Sequence, residues 1–178
     1  SALAGIKLVD EAMTSDPIRS FVDRFLRIEA IPVLPDVPGI DVEEYADQLV
    51  ERFSNPAIGD QISRLCLDGS SKFPKFLLPT VRAQLESGGS IRHAALALAG
   101  WCRYLQGQDD SGGTIDLSFD PRLEEVARLA AEPDPRAFLA YSPVFGEDLV
   151  ADERFVGAFT DSLRSLREVG VLSALDTH

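Results

Sequence analysis

Asp16-Pro17, Asn55-Pro56 and Asp120-Pro121 each set a helix-capping residue directly before proline. The short polar side chain accepts hydrogen bonds from the free N–H groups of a helix's first turn, and proline gives up an N–H that has no partner there anyway. Each pair predicts a helix start. The apolar residues that follow recur at spacings of three and four: Phe21, Phe25 and then Ile28 or Glu29 after the first; Ile58, Ile62, Leu65 and Cys66 after the second; Leu123, Val126, Ala127 and Ala130 after the third. Such spacing lays one apolar stripe along a helix. No run with the two-residue alternation of a strand reaches a convincing length, and residues 114–119 are at most a brief extended piece. The fold class that follows is all-α. The three helices share a start signal without sharing a body, so the sequence holds no internal repeat.

The remaining punctuation supports the same class. Residues 1–13 read as a helix that opens in an apolar run with no cap ahead of it, as if a first helix began further upstream. Pro32, Pro35 and Pro38 end the second helix near Ala30 and make residues 31–40 an extended, stiffened connector. Asp41, with Glu44 three positions on, fits a capping box ahead of a helix whose apolar face is Val42, Tyr45, Leu49, Val50 and Phe53. A helix carrying Phe76, Leu77, Val81 and Leu85 stops at Ser87, Gly88 and Gly89. IRHAALALAGWCRYL, residues 91–105, is the most apolar and alanine-rich stretch and is the predicted central helix. After a polar loop over 107–114, Pro133, Pro135, Pro143 and Gly146 break the chain into short pieces. A last long helix spans about 152–169 with Phe155, Val156, Phe159, Leu163 and Leu166 inward, and Gly170 ends it. No interior linker divides the chain, so residues 1–178 read as one helical domain.

Composition narrows the partners. With 17 basic against 29 acidic residues the net charge is −12, which repels nucleic acid and anionic membrane surfaces. The longest uncharged apolar run, residues 94–102, is far too short to span a bilayer, and no leader opens the chain, so the cytoplasm is expected. Cys66 and Cys102 read as buried free thiols in a reducing compartment. With His93 and His178 they do not form a metal-ligand pattern, and no metal is expected. Gly69, Gly88, Gly89, Gly112 and Gly113 lack the preceding strand and the spacing of a phosphate loop and are turn residues.

Residues 55–79, NPAIGDQISRLCLDGSSKFPKFLLP, hold the candidate site. In this acidic chain Arg64, Lys72 and Lys75 bring three cations within twelve residues. Two readings stand for Arg64. It pairs with Asp60 or Asp68, each four residues away on the helix face, or it binds a polar ligand. In the second reading Arg64 reaches from the last turn of a helix while Lys72 reaches back from the following loop, the arginine supplying directional donors and the lysine a mobile charge. Lys75 is the weaker candidate. His93 reads as a core or capping histidine rather than a general base, since no nucleophile or acid is placed around it in a catalytic order. Trp101 and Tyr104 read as packing residues with their polar ends satisfied. The adjacent pairs Glu43-Glu44 and Glu124-Glu125 read as solvated helix faces.

RFSNPAIGDQISRLCLDGSSKFPKFLLPTVRAQL, followed by HAALALAGWCRYLQGQDDSG, resembles the C-terminal domain of the mannitol 2-dehydrogenase and fructuronate reductase family, the polyol-specific long-chain dehydrogenases. The two segments fill residues 52–112, about a third of the chain. The resemblance implies a multi-helical, 6-phosphogluconate-dehydrogenase C-terminal-like domain that completes a substrate cleft beside a Rossmann domain binding NAD or NADP. It implies a parent enzyme that interconverts a mannitol-like polyol and a ketose. A uronate reductase acting on fructuronate or tagaturonate is the alternative within the family, and a non-enzymatic helical interaction module is the rival outside it. The family's catalytic lysine, asparagines and histidine, in a segment resembling K-x-x-x-x-N-x-x-H, would lie directly upstream of SALAG, and the motif around Lys7 does not match it. No catalytic residue, cofactor or dehydrogenase activity is therefore expected in this chain alone. Two substrate-binding residues carry over: Arg64, from the DQ-x-x-R segment, and Lys72, from the DGSSK-x-P segment. In the family they hydrogen-bond hydroxyls or a carboxylate of the polyol, ketose or sugar acid.

Overall fold

The computed structural model describes residues 1–36 and 38–177; Val37 of the connector and His178 lie outside the described residues. Among these the chain is helical without a sheet. Its only strand-like contacts are isolated bridges between Leu8 and Gln61 and between Gln108 and Thr114.

The predicted first helix is split. A single 3-10 turn, Ala2–Ala4, closes at Gly5, whose φ of 72° is a left-handed conformation that side chains resist, and α1 (Val9–Met13) starts afresh. Next, α2 (Asp16–Arg24) carries Pro17 in its first turn and runs on through a π-helical segment, Phe25–Ala30, and a 3-10 turn, Ile31–Val33. The wider π turn settles which residue faces inward. Glu29 is wholly buried while Ile28 is 47% exposed.

After the connector, α3 (Val42–Phe53) is capped by Asp41, whose carboxylate accepts from the N–H groups of Glu43 and Glu44. Glu44 accepts from Gln48. The buried residue of α3 is Ala46, and Tyr45 faces solvent.

The helix predicted from Asn55 does not form. Asn55 makes a turn instead, its Oδ1 accepting from Ala57 N and its carbonyl from Ile58 N, and Gly59 at φ 60° ends it. The following residues are drawn out against the first segment, with Val9 N donating to the Asp60 carbonyl and Ile62 N to the Lys7 carbonyl, both at 2.9 Å. Tertiary pairing overrides the local cap signal. Only one turn of helix remains, α4 (Ile62–Leu65), and Ile58 and Leu65 are exposed rather than striped against the core.

The polar run expected to end that helix starts the next one. Asp68 takes a left-handed φ of 57°, and α5 (Gly69–Phe76) and α6 (Leu78–Ser87) follow, the latter ended by Gly88 as read. Phe76 is 74% exposed, so the inward set here is Leu77, Leu78 and Val81.

The predicted central helix is α7 (Arg92–Tyr104), nine of whose thirteen residues are buried. Then come α8 (Leu123–Ala130), α9 (Pro135–Leu139), α10 (Ser142–Ala151, kinked at Gly146), α11 (Glu153–Val169) and α12 (Val171–Thr177). The last of these is a helix beyond the predicted end at Gly170. α11, capped by the Asp152 carboxylate, buries Phe155, Val156, Phe159, Leu163 and Leu166 and packs along α7 more extensively than any other two elements meet. Between them Phe138 stacks at 6.0 Å from Phe159 and meets Trp101 and Phe145 edge-on at 5.2 and 5.4 Å, geometries that aromatic rings favour.

Candidate functional site

The predicted site residues lie on α4 and α5, and hydrogen bonds from distant segments hold that short pair. Ser118 Oγ donates to the Ser63 carbonyl at 2.7 Å, and Asp68 N to the Phe119 carbonyl at 2.8 Å. The carboxylate of Asp120 is buried beneath the start of α5. It accepts from Ser70 N at 2.7 Å and Ser70 Oγ at 2.5 Å, and also from Arg122 N at 2.8 Å. The third cap-proline pair thus spends its acid mainly on another helix, and α8 begins only at Leu123. Gly69 is needed for contact as well. A Cβ there would lie 2.8 Å from Trp101 Nε1, so α5 can approach α7 this closely only without a side chain.

Arg64 stands on the last turn of α4 and is 65% exposed. Its guanidinium grips Asp60 with two N–H groups, Nε at 2.6 Å and Nη2. Of the two carboxylates four residues away, Asp60 is the one used. The hydrogen bond from Arg64 holds the Asp60 carboxyl below its usual range and raises the arginine in turn. Lys72, half-buried on α5, reaches back and donates from Nζ to the carbonyl of Leu65, the last residue of α4, at 3.3 Å. A cation at a helix C-terminus answers the free carbonyls there.

The two cations line different cavities. Arg64 borders one of about 240 Å³ with Asp10, Arg52, Asn55 and Asp60, whereas Lys72 borders an apolar one of about 500 Å³ with Cys66, Phe73, Gly100 and Trp101. Leu65 belongs to both walls. Lys75 is exposed and lines neither of these cavities.

His93 has the capping surroundings read for it. Glu29 accepts from His93 N at 2.7 Å, Ala94 N at 2.8 Å, Ser90 Oγ at 2.8 Å and His93 Nδ1 at 2.9 Å, so a carboxylate from the π turn caps α7. Burial alone would raise the Glu29 pKa, but these hydrogen bonds prevail and hold it below the ordinary value. Tyr104 accepts from Ser118 N at 2.8 Å. Burial pushes the Cys66 thiol up and that of Cys102 up to about 12, which leaves neither as a ready nucleophile. No group of three or more His, Cys, Asp or Glu among the described residues is gathered as a metal site, and no helix among them is long and apolar enough to cross a membrane.

The sequence reading missed the roles of Asp120, Ser118 and Glu29 in holding Ser70, Ser63 and His93. Those partners are 50 or more residues away, so the only available signal was an acid at a position that otherwise faces the core, as at Glu29.

This arrangement has known counterparts. The pattern describing the mannitol dehydrogenase C-terminal domain matches residues 1–167. The mannitol 2-dehydrogenase of Emericella nidulans is 37% identical over 175 residues, covering 97% of this chain and 35% of that protein. That of Pyrenophora tritici-repentis is 38% identical over 176 residues, covering 99% and 31%. Among solved structures, the Pseudomonas fluorescens mannitol 2-dehydrogenase in ternary complex with NAD and D-mannitol superposes with a TM-score of 0.93 at 38% identity, over 98% of this chain and 36% of that one. A substrate-free D-sorbitol dehydrogenase follows at 0.89 and 28%, with the same coverage. The chain spans about a third of the length of these relatives. On sequence and on structure alike, the chain belongs to the mannitol dehydrogenase C-terminal domain family.

Proposed function

We propose that this chain is the substrate-side domain of an NAD(P)-dependent dehydrogenase that interconverts a mannitol-like polyol and its ketose. The observation that carries this reading is that two anchored cations, each bordering its own cavity, meet at the last turn of α4, where Leu65 belongs to both walls. Arg64 grows from that turn, and Lys72 donates to its last carbonyl. Each is held in place with donors to spare. Asp60 engages Nε and Nη2 of Arg64, so other guanidinium N–H groups stay available, and the Lys72 ammonium has three N–H groups of which the Leu65 carbonyl takes one. An open-chain polyol offers many hydroxyl oxygens and little apolar area, and such donors orient it well.

A bound nicotinamide would take the hydride from the secondary alcohol carbon. No residue of this chain is assigned to the cofactor or to the base. The part of Arg64 and Lys72 is to fix the chain of hydroxyls so that one carbon is presented for reaction. Exposed Ile58, Leu65, Leu67, Phe76 and Phe119 surround the same region, a patch suited to packing on a Rossmann domain. Ile6 and Leu8 are half-buried. The two free thiols suit a cytoplasmic enzyme.

The test is a panel of polyols and sugar acids on the full-length protein with NAD and NADP. Arg64→Ala and Lys72→Ala should each lower kcat/KM for the best polyol by about 10- to 100-fold, the worth of one hydrogen bond to a charged group. Unchanged kcat/KM across the panel would overturn the assigned roles, and a preference for uronates would move the enzyme to the sugar-acid branch.

A further inference from the structure

We propose that Asp10 sets the choice between a neutral polyol and a sugar acid, by accepting a hydroxyl hydrogen from the substrate's far end in the cavity that Arg64 borders. The inference rests on the reading of Arg64 as a substrate ligand and deepens it.

The fold puts Asp10 there through the same pairing that displaces the helix expected from Asn55. Val9 N donates to the Asp60 carbonyl and Ile62 N to the Lys7 carbonyl, both at 2.9 Å, so α1 begins directly beside the residues that lead into α4. Asp10 is the second residue of α1 and Arg64 the third of α4, and both border the cavity of about 240 Å³. Val9, Phe53, Ile58 and Leu65 give it apolar walls. Its space is several times that of a water molecule, enough for the end of an open-chain polyol.

The two carboxylates on this wall are placed differently. Asp60 accepts from Nε and Nη2 of Arg64. Asp10 is half-buried, and among the described residues its Oδ1 is buried with no hydrogen-bond partner. A buried carboxylate oxygen without a donor is costly and marks a place where a donor belongs. The two arginines of the wall are directed elsewhere, Arg64 to Asp60 and Arg52 to the Phe53 ring, whose centroid is 5.7 Å from its guanidinium carbon.

A substrate hydroxyl would supply that donor. It can accept from a remaining N–H of Arg64 and give its own hydrogen to Asp10. A substrate carboxylate can accept from Arg64, but it has no hydrogen for Asp10 and brings a second negative charge toward it. Arg64 alone would favour an acid. Arg64 opposite Asp10 favours a hydroxyl, since a site built to receive a hydroxyl hydrogen rejects a group that lacks one.

The experiment uses the full-length protein with D-mannitol and with D-mannonate, in which a carboxylate replaces one terminal hydroxymethyl group. D-mannonate is measured as a competitor of D-mannitol oxidation, which requires no turnover of the acid. In the unaltered protein its inhibition constant should lie at least about 10-fold above KM for D-mannitol; tighter binding by the acid overturns the proposal. Asp10→Asn keeps the shape and removes the charge. It should lower the D-mannonate inhibition constant by about 10-fold and raise KM for D-mannitol by a smaller factor. Constants that move in the same direction, or do not move, overturn the proposal. A residue that merely supports the fold, or that pairs with a donor elsewhere in the longer protein, would not favour one ligand while weakening the other. If Asp10→Asn yields no folded protein, the comparison in the unaltered protein decides. Arg64→Ala is assayed alongside. Unchanged kcat/KM for D-mannitol in that variant sinks the substrate role of Arg64 and this inference together, whereas a fall there with parallel constants for Asp10→Asn sinks the role of Asp10 alone.

Discussion

Along α7, nine of thirteen residues are buried; across α4 and α5, only Ile62, Gly69 and Ser70 of twelve are. Both regions belong to one helical fold, but different forces hold them. α7 and α11 are kept together by apolar area removed from water and by rings in edge-on and stacked contact. α4 and α5 bury little and are pinned instead by hydrogen bonds from residues 7–9 and 118–120. That arrangement leaves Arg64 and a set of apolar side chains facing outward. Substitutions in the first region should therefore unfold the chain, and those in the second should change what it holds.

The largest effect is expected where a polar group supports the apolar region. Glu29→Ala removes the carboxylate that caps α7 and leaves the buried His93 without its partner, so unfolding free energy should fall by about 3–5 kcal/mol, as for other broken buried pairs. The folded protein holds the Glu29 carboxyl below its ordinary value. Its contribution is therefore complete above about pH 4.3, the unfolded value, and is lost as pH falls from there through the folded value. Denaturant unfolding from pH 7 to pH 3 should show the unaltered chain losing more stability on acidification than Glu29→Ala does. Parallel pH profiles would remove Glu29 from that role.

A smaller effect is expected where the two regions meet. Ser70→Ala deletes the hydroxyl that donates to Asp120 and leaves Ser70 N and Arg122 N still donating to the same carboxylate. A hydrogen bond to a charged group predicts a loss of about 1.5–3 kcal/mol. Because Lys72 lies two residues on in α5, kcat/KM of the full-length protein should fall with it. Lost stability at unchanged kcat/KM would mean that Asp120 supports the fold and not the site.

The same contrast explains what the sequence made legible. α11 was readable to its cap because Asp152, its five inward residues and Gly170 are all local signals that agree with how the helix packs. α7 and the Gly88 stop were readable for the same reason. Asn55-Pro56 carries an equally clear local signal, and the fold overrules it, because residues 60–62 pair with residues 7–9 and Gly59 turns the chain first. Glu29 was visible only as one of two residues competing for an inward position, since spacing cannot foresee a π turn or a histidine 64 residues away. α12, seven residues beyond a glycine stop, was too short for periodicity to reveal. At the site, the pairing of Arg64 with Asp60 was open to local reading as an i, i+4 contact. The substrate role proposed for it rests on resemblance, because no spacing rule separates a binding arginine from a solvated one.

The smallest expected change in stability gives the sharpest contrast. Arg64 and Asp60 form a pair on an exposed turn, where water screens the charges and holding two side chains in place offsets their attraction. Arg64→Ala should leave the melting temperature of the full-length protein within error of the unaltered protein while lowering its kcat/KM. A matching fall in both would mean that the guanidinium holds α4 in place and that its kinetic effect is indirect. Asp60→Asn separates these cases further. It weakens the grip on Arg64 without removing its donors, so KM for a polyol should rise through looser positioning while Tm stays unchanged. A fall in Tm for Asp60→Asn would place residues 60–64 among the segments that hold the fold, and the contrast with α7 would then no longer hold at the residue where it matters most.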